Sequence, residues 1–539
     1  MKMNNKLKSI TAGLATLLVL GSCEKKVLDL QPYNSFSDVS AFSDPNKVNL
    51  AVNGVYDGGQ TGFYAGGQRG YPFGAAGIQQ GDMRGEDMRN TALFFQITHE
   101  AAYNPVTANN DFMFQTLYAM INRSNLVIDG VRDAVTKNII SADAGNIFLG
   151  ECRFLRAMAH HELVLNWSRP FLDGNGSQMG IIYRETGINS EEKANVAREL
   201  KRADFPVSLV YTKILADLDF AETNLPATNI TVPGTSIALP RTYRATRAAA
   251  IALKMRVRMH MGDWAAVVTE GNKLVSAAAP FTSPIGGWAL TAAPDGPFAS
   301  NTSSESIFSI RNDAVDNPGP NGALAAMLGN PALGARGLVE ISPVMWSNPQ
   351  WLCSDLRRGA TLVNASPTGN ARFTNKYRDI TNRSDAAPVF RYAEVLLMLA
   401  EAEARRATGV STRALALLNA VRNRSVTNPA EQFTSASFGE RDPLISAILF
   451  ERRIEFLAEG KRWGDLHRLA RDPNFAPIAG GGIPSKVQTG AGQVAWFNCA
   501  GATFPRTVVA VPYSDHRFLW PVSLLEIQQN PNFNQNPGY

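Results

Sequence analysis

"LISAILFERRIEFLAEGKRWGDLHRLAR", residues 444–471, interleaves apolar residues at helical spacing with a dense run of charge. Ile445, Ile448, Leu449 and Phe456 fall on one face, at separations of three, four or seven, as an amphipathic helix requires. The charged positions offer i,i+3 pairs of Arg452 with Glu455, Glu459 with Arg462, and Arg462 with Asp465. Trp463 adds a broad apolar ring on which an arginine can stack. The stretch predicts a packed, ion-paired scaffold helix, not a catalytic centre.

Working outward, "RYAEVLLMLAEAEARRATGVSTRALALLNAVRNR" (391–424) reads as two helices broken at Gly409, with Tyr392, Val395, Leu396 and Leu399 on one face. A similar unit, "RATRAAAIALKMRVRMHMGDWAAVVTEGNKLV" (244–275), turns at Gly262, Asp263 and Trp264. Alanines on both sides of that turn resemble a tetratricopeptide hairpin, where small side chains let paired helices approach. One such unit cannot bury its own apolar face, so the units are expected to stack. Helical spacing continues upstream in 112–131, 150–167 and 208–226, the last stopped by Pro226.

Two stretches break this pattern. "GGQTGFYAGGQRGYPFG" (58–74) is too glycine-rich for a long helix and favours loops that bring backbone close to a partner. Residues 278–385 are rich in Pro, Gly, Asn and Ser, carry Trp288, Trp346 and Trp351, and contain β-like pieces such as "SIFSI" (306–310). Irregular segments longer than ~15 residues are uncommon unless functional, so specificity is expected here. The fold class is therefore mainly α: a tetratricopeptide-like helix-pair scaffold with an irregular, loop-rich, ligand-facing region and few short β-strands.

The N-terminus carries Lys2, Lys6 and Lys8, then an uncharged apolar stretch from Ile10 to Leu20. That run is shorter than the roughly 20 residues a spanning helix needs and suits a secretory signal. Leu20, Gly21 and Ser22 lead into Cys23, which resembles the lipobox of bacterial lipoproteins. The resemblance implies a signal peptide over 1–22, cleavage before Cys23, acylation of that cysteine, and a lipidated tether over 23–45. Two or more acyl chains anchor a protein stably, where one is marginal.

Several function classes drop out. The net charge is +5, and removing the three leader lysines leaves +2, which gives no basic footprint for nucleic acid. Cys152, Cys353 and Cys499 form no C-x-x-C or Cys/His cluster. Cys152 lies in a helical pattern and reads as core; one disulfide is possible, with the pair left open. His160 and His161 are adjacent and lack H-E-x-x-H spacing, and no G-x-S-x-G, P-loop or G-x-G-x-x-G occurs. Asp173, Asn175 and Ser177 imitate a calcium loop, but Gln178 and Arg184 stand where Gly and Glu are needed. Neither metal nor cofactor is expected.

The C-terminal third carries a specific resemblance. Residues 444–471, with "RYAEVLLMLAEAEAR" (391–405) and "FLWPVSLLEIQQNPNFNQNPGY" (518–539), closely resemble the SusD/RagB family of lipid-anchored nutrient-binding proteins of Bacteroidetes outer membranes. "LDLQPYNSFSD" (28–38), "GECRFLRAMAHHELVLNW" (150–167) and "GIIYRE" (180–185) are similar to its N-terminal half. This resemblance implies a SusD-like N-terminal region over 46–240 and a C-terminal region over 241–539 that includes the insert 278–385. It also implies a non-enzymatic surface lipoprotein that binds oligosaccharide or peptide and delivers it to a SusC-like TonB-dependent transporter. The alternatives are a structural component of such a complex that binds no ligand, and a lipid-anchored hydrolase.

A sugar ring packs its C–H face on an aromatic ring while its hydroxyls need polar side chains at the rim; a peptide wants backbone hydrogen bonds. The expected ligand contacts are Tyr64, Arg69, Tyr71, Phe73, Asp82 and Arg84 near the glycine-rich loop, and Trp288 and Trp346 in the insert. Trp351, before "SDLRR", is assigned to the scaffold.

Overall fold

The computed structural model describes residues 40–61 and 69–539; the leader, Cys23, most of the tether and Tyr64 lie outside the described residues. The main elements, in chain order, are α1 (Pro45–Gln60), α2 (Ala75–Met83), β1 (Met88–Asn90), α3 (Ala108–Thr136), α4 (Ala142–Trp167), α5 (Val207–Asn224), α6 (Arg247–His260) and α7 (Trp264–Leu274). They continue with β2 (Ser306–Ile310), β3 (Val339–Ile341), β4 (Val363–Ala365), β5 (Arg372–Thr374), β6 (Ala387–Arg391), α8 (Tyr392–Arg406), α9 (Thr412–Arg422), α10 (Arg441–Glu455) and α11 (Arg462–Leu469).

Helix starts follow local chemistry. Asp44, Ser141, Thr246, Asp263 and Ser411 each accept a backbone N–H of the first turn of α1, α4, α6, α7 and α9, and Pro45 sits where its missing donor costs nothing. The helices then stack in order: α3 packs on α1 and α4, α4 on α5, α5 on α6, α6 on α7, α7 on α8, and α8 on α9 and α10. The sequence-expected hairpins are α6–α7 and α8–α9. Helix α8 lies at the centre, and every residue from Tyr392 to Ala402 is buried. Its two buried acids are neutralised, Glu394 by Arg256 and Glu401 by Arg468 and Arg405.

The strands are short antiparallel pairs: β2 with β6, β1 with β3, and the hairpin β4–β5. They tie the insert to the helices. Cys152 is buried, as expected, and the open disulfide question is settled as Cys353–Cys499.

Residues 444–471 depart from the single helix read in the sequence. Helix α10 stops at Glu455 and α11 starts at Arg462, with Ala458 at φ 63° and Gly460 at φ 73° between them. Gly460 suits that left-handed turn, since it lacks a Cβ, and its N–H donates to Asp82 Oδ1 at 3.2 Å. The insert clamps the turn, with Lys376 Nζ donating to Glu455 O at 2.8 Å and Tyr377 Oη to Ala458 O at 3.0 Å.

The expected i,i+3 pairs are replaced by pairs to other elements. Arg452 binds Asp465 at 2.9 Å, Glu459 binds Lys376 at 2.6 Å and Arg391 at 2.8 Å, and Arg462 binds Glu86 at 2.6 Å. The break separates only Glu459 from Arg462; the other two pairs stay within α10 or α11, and their charges are taken by closer partners on other elements. The expected stacking partner of Trp463 is Arg84, 3.4 Å from the ring centroid.

Around Glu455 the charges form a closed buried network of five carboxylates (Glu305, Asp355, Glu451, Glu455, Glu459) and five cations (Arg357, Lys376, Arg391, Arg422, Arg424). Burial alone would raise the Glu455 carboxyl, but Arg424, Arg391 and Arg357 outweigh it and hold it at about 2. Removing one partner of such a buried set strands the others without compensation, at a cost of about 3–5 kcal/mol. Glu455→Ala should therefore lower the melting temperature sharply, while Lys137→Ala, in an exposed pair with Asp133, should cost less than ~1 kcal/mol. Equal shifts for the two variants would count against the network as a stabilising feature.

His161, His260 and His467 form a buried ladder, with ring centroids 5.1 and 6.4 Å apart. Burial depresses His161 and His467 to about 3 and His260 well below its ordinary value, so all three are neutral in the folded chain. The unfolded chain takes up these protons below about pH 6.5, so stability falls as pH drops through that value toward 3. Paired carboxylates such as Glu455 add a loss of the same sign between about pH 4.5 and 2. Melting curves should show a decline already between pH 7 and 5; a flat profile there would remove the histidine contribution.

Candidate functional site

The glycine-rich segment and the insert meet at Gly70 and Gly322. A Cβ on Gly70, which has φ 73°, would lie 2.8 Å from Gly322 O, and one on Gly322 would lie 2.7 Å from Gly70 N. Only glycine permits this approach. Gln60 Nε2 reinforces it by donating to the carbonyls of Arg311 and Asp316 at 2.8 and 3.3 Å. The close backbone approach expected of the glycines is thus made to another part of the same chain.

From this contact the face continues through β1 and β3. Arg89 Nε on β1 donates to Glu340 Oε1 on β3 at 2.8 Å, and the Arg89 guanidinium lies 5.6 Å from the Trp496 ring. Burial raises the Glu340 carboxyl to about 7 despite that arginine. The β4–β5 hairpin packs alongside: Asn330 Nδ2 donates to Ala365 O at 2.8 Å, and a Cβ on Gly337 would meet Phe373 at 3.0 Å. Residues 69–73, 88–91, 311–346, 363–374 and 488–499 therefore meet in one contiguous, loop-rich region, whose outer side is the face.

At one end of it, tryptophans and arginines alternate. Trp346 ends a single helical turn, Pro343–Trp346, and its Nε1 donates to Phe497 O at 2.9 Å. Arg358 lies 4.6 Å from the Trp346 centroid and 4.4 Å from that of Trp351, and Arg372 lies 5.0 Å from Trp346 and 5.1 Å from Phe497. Ser347 Oγ bonds Trp496 O at 2.6 Å, and the Cys353–Cys499 bridge fastens the same two loops. Desolvation lowers Arg358 to about 10 and also lowers Arg372.

The residues singled out in the sequence divide between this face and the scaffold behind it. Arg69, half-buried, stacks 4.9 Å from Phe94 and 5.8 Å from Phe112. Phe73 is also half-buried, against Gly59. Tyr71 is buried, with Gln80 Nε2 donating to its hydroxyl at 3.3 Å. Asp82 is buried behind the face and raised by that burial, and it accepts Gly460 N. Arg84 is buried too, donating to Asn166 Oδ1 at 2.8 Å and Phe518 O at 2.5 Å. Trp288 is buried elsewhere, under Arg241 at 4.1 Å. Trp346 is buried as well, packed beneath Arg358 and Arg372, so it supports the face from below and does not offer an open ring; Trp351, buried beside it, fits its scaffold assignment.

The sequence reading passed over Arg358, Arg372, Trp496 and Phe497. Arg358 lies within "SDLRR", set aside as scaffold, and the aromatic pair of "AWFNCA" gains its partners only through the disulfide loop.

Other polar clusters are internal. A cavity of about 100 Å³ between α4, α6 and α8 is lined by His161, Glu162, Arg256, Glu394 and Lys461. Arg256 holds Glu394 at 2.8 Å, and burial lowers the Lys461 ammonium to about 8. Among the described residues no group of three or more His, Cys, Asp or Glu is placed to hold a metal ion, and no helix is long and apolar enough to cross a membrane.

Comparisons with known proteins agree along the chain. A family model described as SusD family matches residues 361–539, and one described as starch-binding associating with outer membrane matches residues 26–259. A SusD-like protein of Formosa agariphila is 22% identical over 571 residues, covering 98% of this chain and 97% of that one. A solved SusD superfamily protein from Bacteroides fragilis superposes with a TM-score of 0.72 at 23% identity, over 92% of this chain and all of its own. Surface glycan-binding protein A from Bacteroides uniformis gives a TM-score of 0.65 at 16% identity, over 91% of this chain and 99% of that chain.

The disulfide gives a direct test of how this face is held. Closing a loop of this length should contribute about 2–4 kcal/mol. The double variant Cys353→Ser/Cys499→Ser should melt lower by a corresponding amount and expose 488–499 to protease. Unchanged melting and digestion would mean that stacking alone fastens the loops.

Proposed function

The chain belongs to the SusD/RagB family, and from that premise we propose that it is a lipid-anchored, outer-membrane-associated protein of the cell surface that binds oligosaccharide and passes it to a SusC-like TonB-dependent transporter. The observation that carries this reading is the match of two SusD-type family models to both ends of the chain, on either side of the irregular insert. The names of relatives support a glycan as ligand: one family description reads starch-binding, and the Bacteroides uniformis protein is named for glycan binding. A peptide fits the loop face less well, because the strands on it among the described residues are three residues long, short for backbone pairing with an added strand.

In this proposal the helical stack is a rigid mount and the loop face is the binding surface. Arg69, Phe73 and the half-buried Arg358 and Arg372 above the Trp346 cluster contact the ligand, and Tyr64 is a candidate contact from its position in the same segment. Tyr71, Asp82 and Arg84 support the surface from behind, and Trp288 belongs to the core elsewhere. The protein binds and delivers, without turnover. Anchoring through Cys23 holds it at the membrane with no spanning helix.

Two measurements test this. Cys23→Ala should move the protein from the membrane to the soluble fraction; continued membrane association would remove the anchor. A mild-detergent pull-down from native outer membranes should recover a large TonB-dependent barrel, and mass spectrometry should find retained oligosaccharide. Recovery of the lipoprotein alone, or cleavage of a bound oligomer, would overturn the delivery role.

A further inference from the structure

Resting on the reading of this face as a glycan surface, we infer that its ligand is an anionic oligosaccharide, one bearing carboxylate or sulfate groups, held by a strip formed by Arg336, Arg372 and Arg358. These three come from neighbouring segments of the face. Arg358 and Arg372 share the ring of Trp346, at 4.6 and 5.0 Å. Phe373, next to Arg372, meets Gly337, next to Arg336, where an added Cβ would come within 3.0 Å.

None of the three has a carboxylate partner among the described residues. Arg358 donates to the carbonyls of Leu352, Trp351 and Cys499, at 2.9, 2.6 and 3.2 Å. Arg372 donates to Gly369 O at 3.0 Å and Ala371 O at 2.9 Å. Arg336 is exposed and bonds the Asn321 side-chain oxygen and Met327 Sδ.

The acids whose charge reaches them are already committed. Glu340 is buried against Arg89, and Asp355 is held by Arg357 at 2.7 Å. The contrast with the scaffold is clear, where five cations meet five carboxylates in one closed set. Here positive charge is partly desolvated and left open on one side.

Arg336 and Arg372 each keep part of a planar fork that matches a carboxylate or sulfate, while Arg358, with two nitrogens held by carbonyls and the third buried, adds positive charge from behind. A neutral sugar would leave that charge uncompensated, and so the strip discriminates against it. Stacking on Trp346 and Phe497 fixes the plane of Arg372, so the fork is ordered before the ligand arrives.

Calorimetric titration of the intact lipoprotein in detergent tests this with three probes: a galacturonate oligosaccharide, a sulfated galactan oligosaccharide and a neutral laminarin oligosaccharide. At low salt one charged probe should bind at least about tenfold more tightly than laminarin, and added salt should weaken it. Which charged probe binds more tightly separates carboxylate from sulfate as the recognised group. Arg336→Gln, at an exposed position, and Arg372→Gln should each weaken that binding about three- to tenfold at unchanged melting temperature, and Arg372→Lys should restore only part of it.

Laminarin bound as tightly as the charged probes, or charged probes bound equally by wild type and both Gln variants, would overturn the inference and leave the glycan-binding reading in place. Failure of all three probes to bind would overturn both.

Discussion

The structure depends on ten charged groups packed out of contact with water. Glu305, Asp355, Arg357 and Lys376 come from the insert; Arg391, Arg422, Arg424, Glu451, Glu455 and Glu459 come from the helical scaffold or its edge. Each set is balanced in charge, but ion pairs cross between them, Arg391 and Arg424 to Glu305, Arg357 to Glu451 and Glu455, and Lys376 to Glu459, so pulling the sets apart leaves buried charges on both sides without these partners. A buried charge without its partner is costly, which makes the network a strong constraint on where the insert can sit. Apolar contact alone would tolerate sliding; paired guanidinium and carboxylate groups do not.

This constraint explains how so much irregular chain stays ordered. The insert buries few regular hydrogen-bonded elements beyond β2 with β6, β1 with β3 and the β4–β5 hairpin. Its placement comes from anchor points: the ion network at one level, the Gly70 and Gly322 backbone contact at another, and the disulfide with the Trp346 stack at the third. Between anchors the loops are free to differ in sequence. A binding surface on loops held by a rigid mount is a common division of labour.

Arginine does two jobs in this chain, and the surroundings decide which. Where carboxylates surround it, as at Arg391, it is structural and its charge is cancelled. Where it stacks on indole and bonds only carbonyls, as at Arg358, the charge persists and burial disfavours it. The second kind, placed at the surface on the loop face, gives that face its chemical character.

Most helices and the pairing of α6 with α7 and α8 with α9 were legible because they follow from local spacing: a 3.6-residue period, the break at Gly409, and the Gly262–Asp263–Trp264 turn. The family resemblance was legible for the same reason, since it rests on contiguous helices. The i,i+3 pairs of residues 444–471 were misread because the partners that take these charges, Glu86, Lys376 and Arg391, come from distant segments, and a left-handed turn at Gly460 brings Asp465 to Arg452. Asp82 and Arg84 stood out by residue type and loop position, yet their partners, Gly460, Asn166 and Phe518, are distant in sequence and take both side chains inward. Sequence by itself determined which segments are helical, which are not, and which family they compose, because those properties are set by neighbours along the chain. Tertiary structure alone decided which two cysteines join, which charges cancel and which arginines remain open on the surface, because those depend on groups brought together from separate segments.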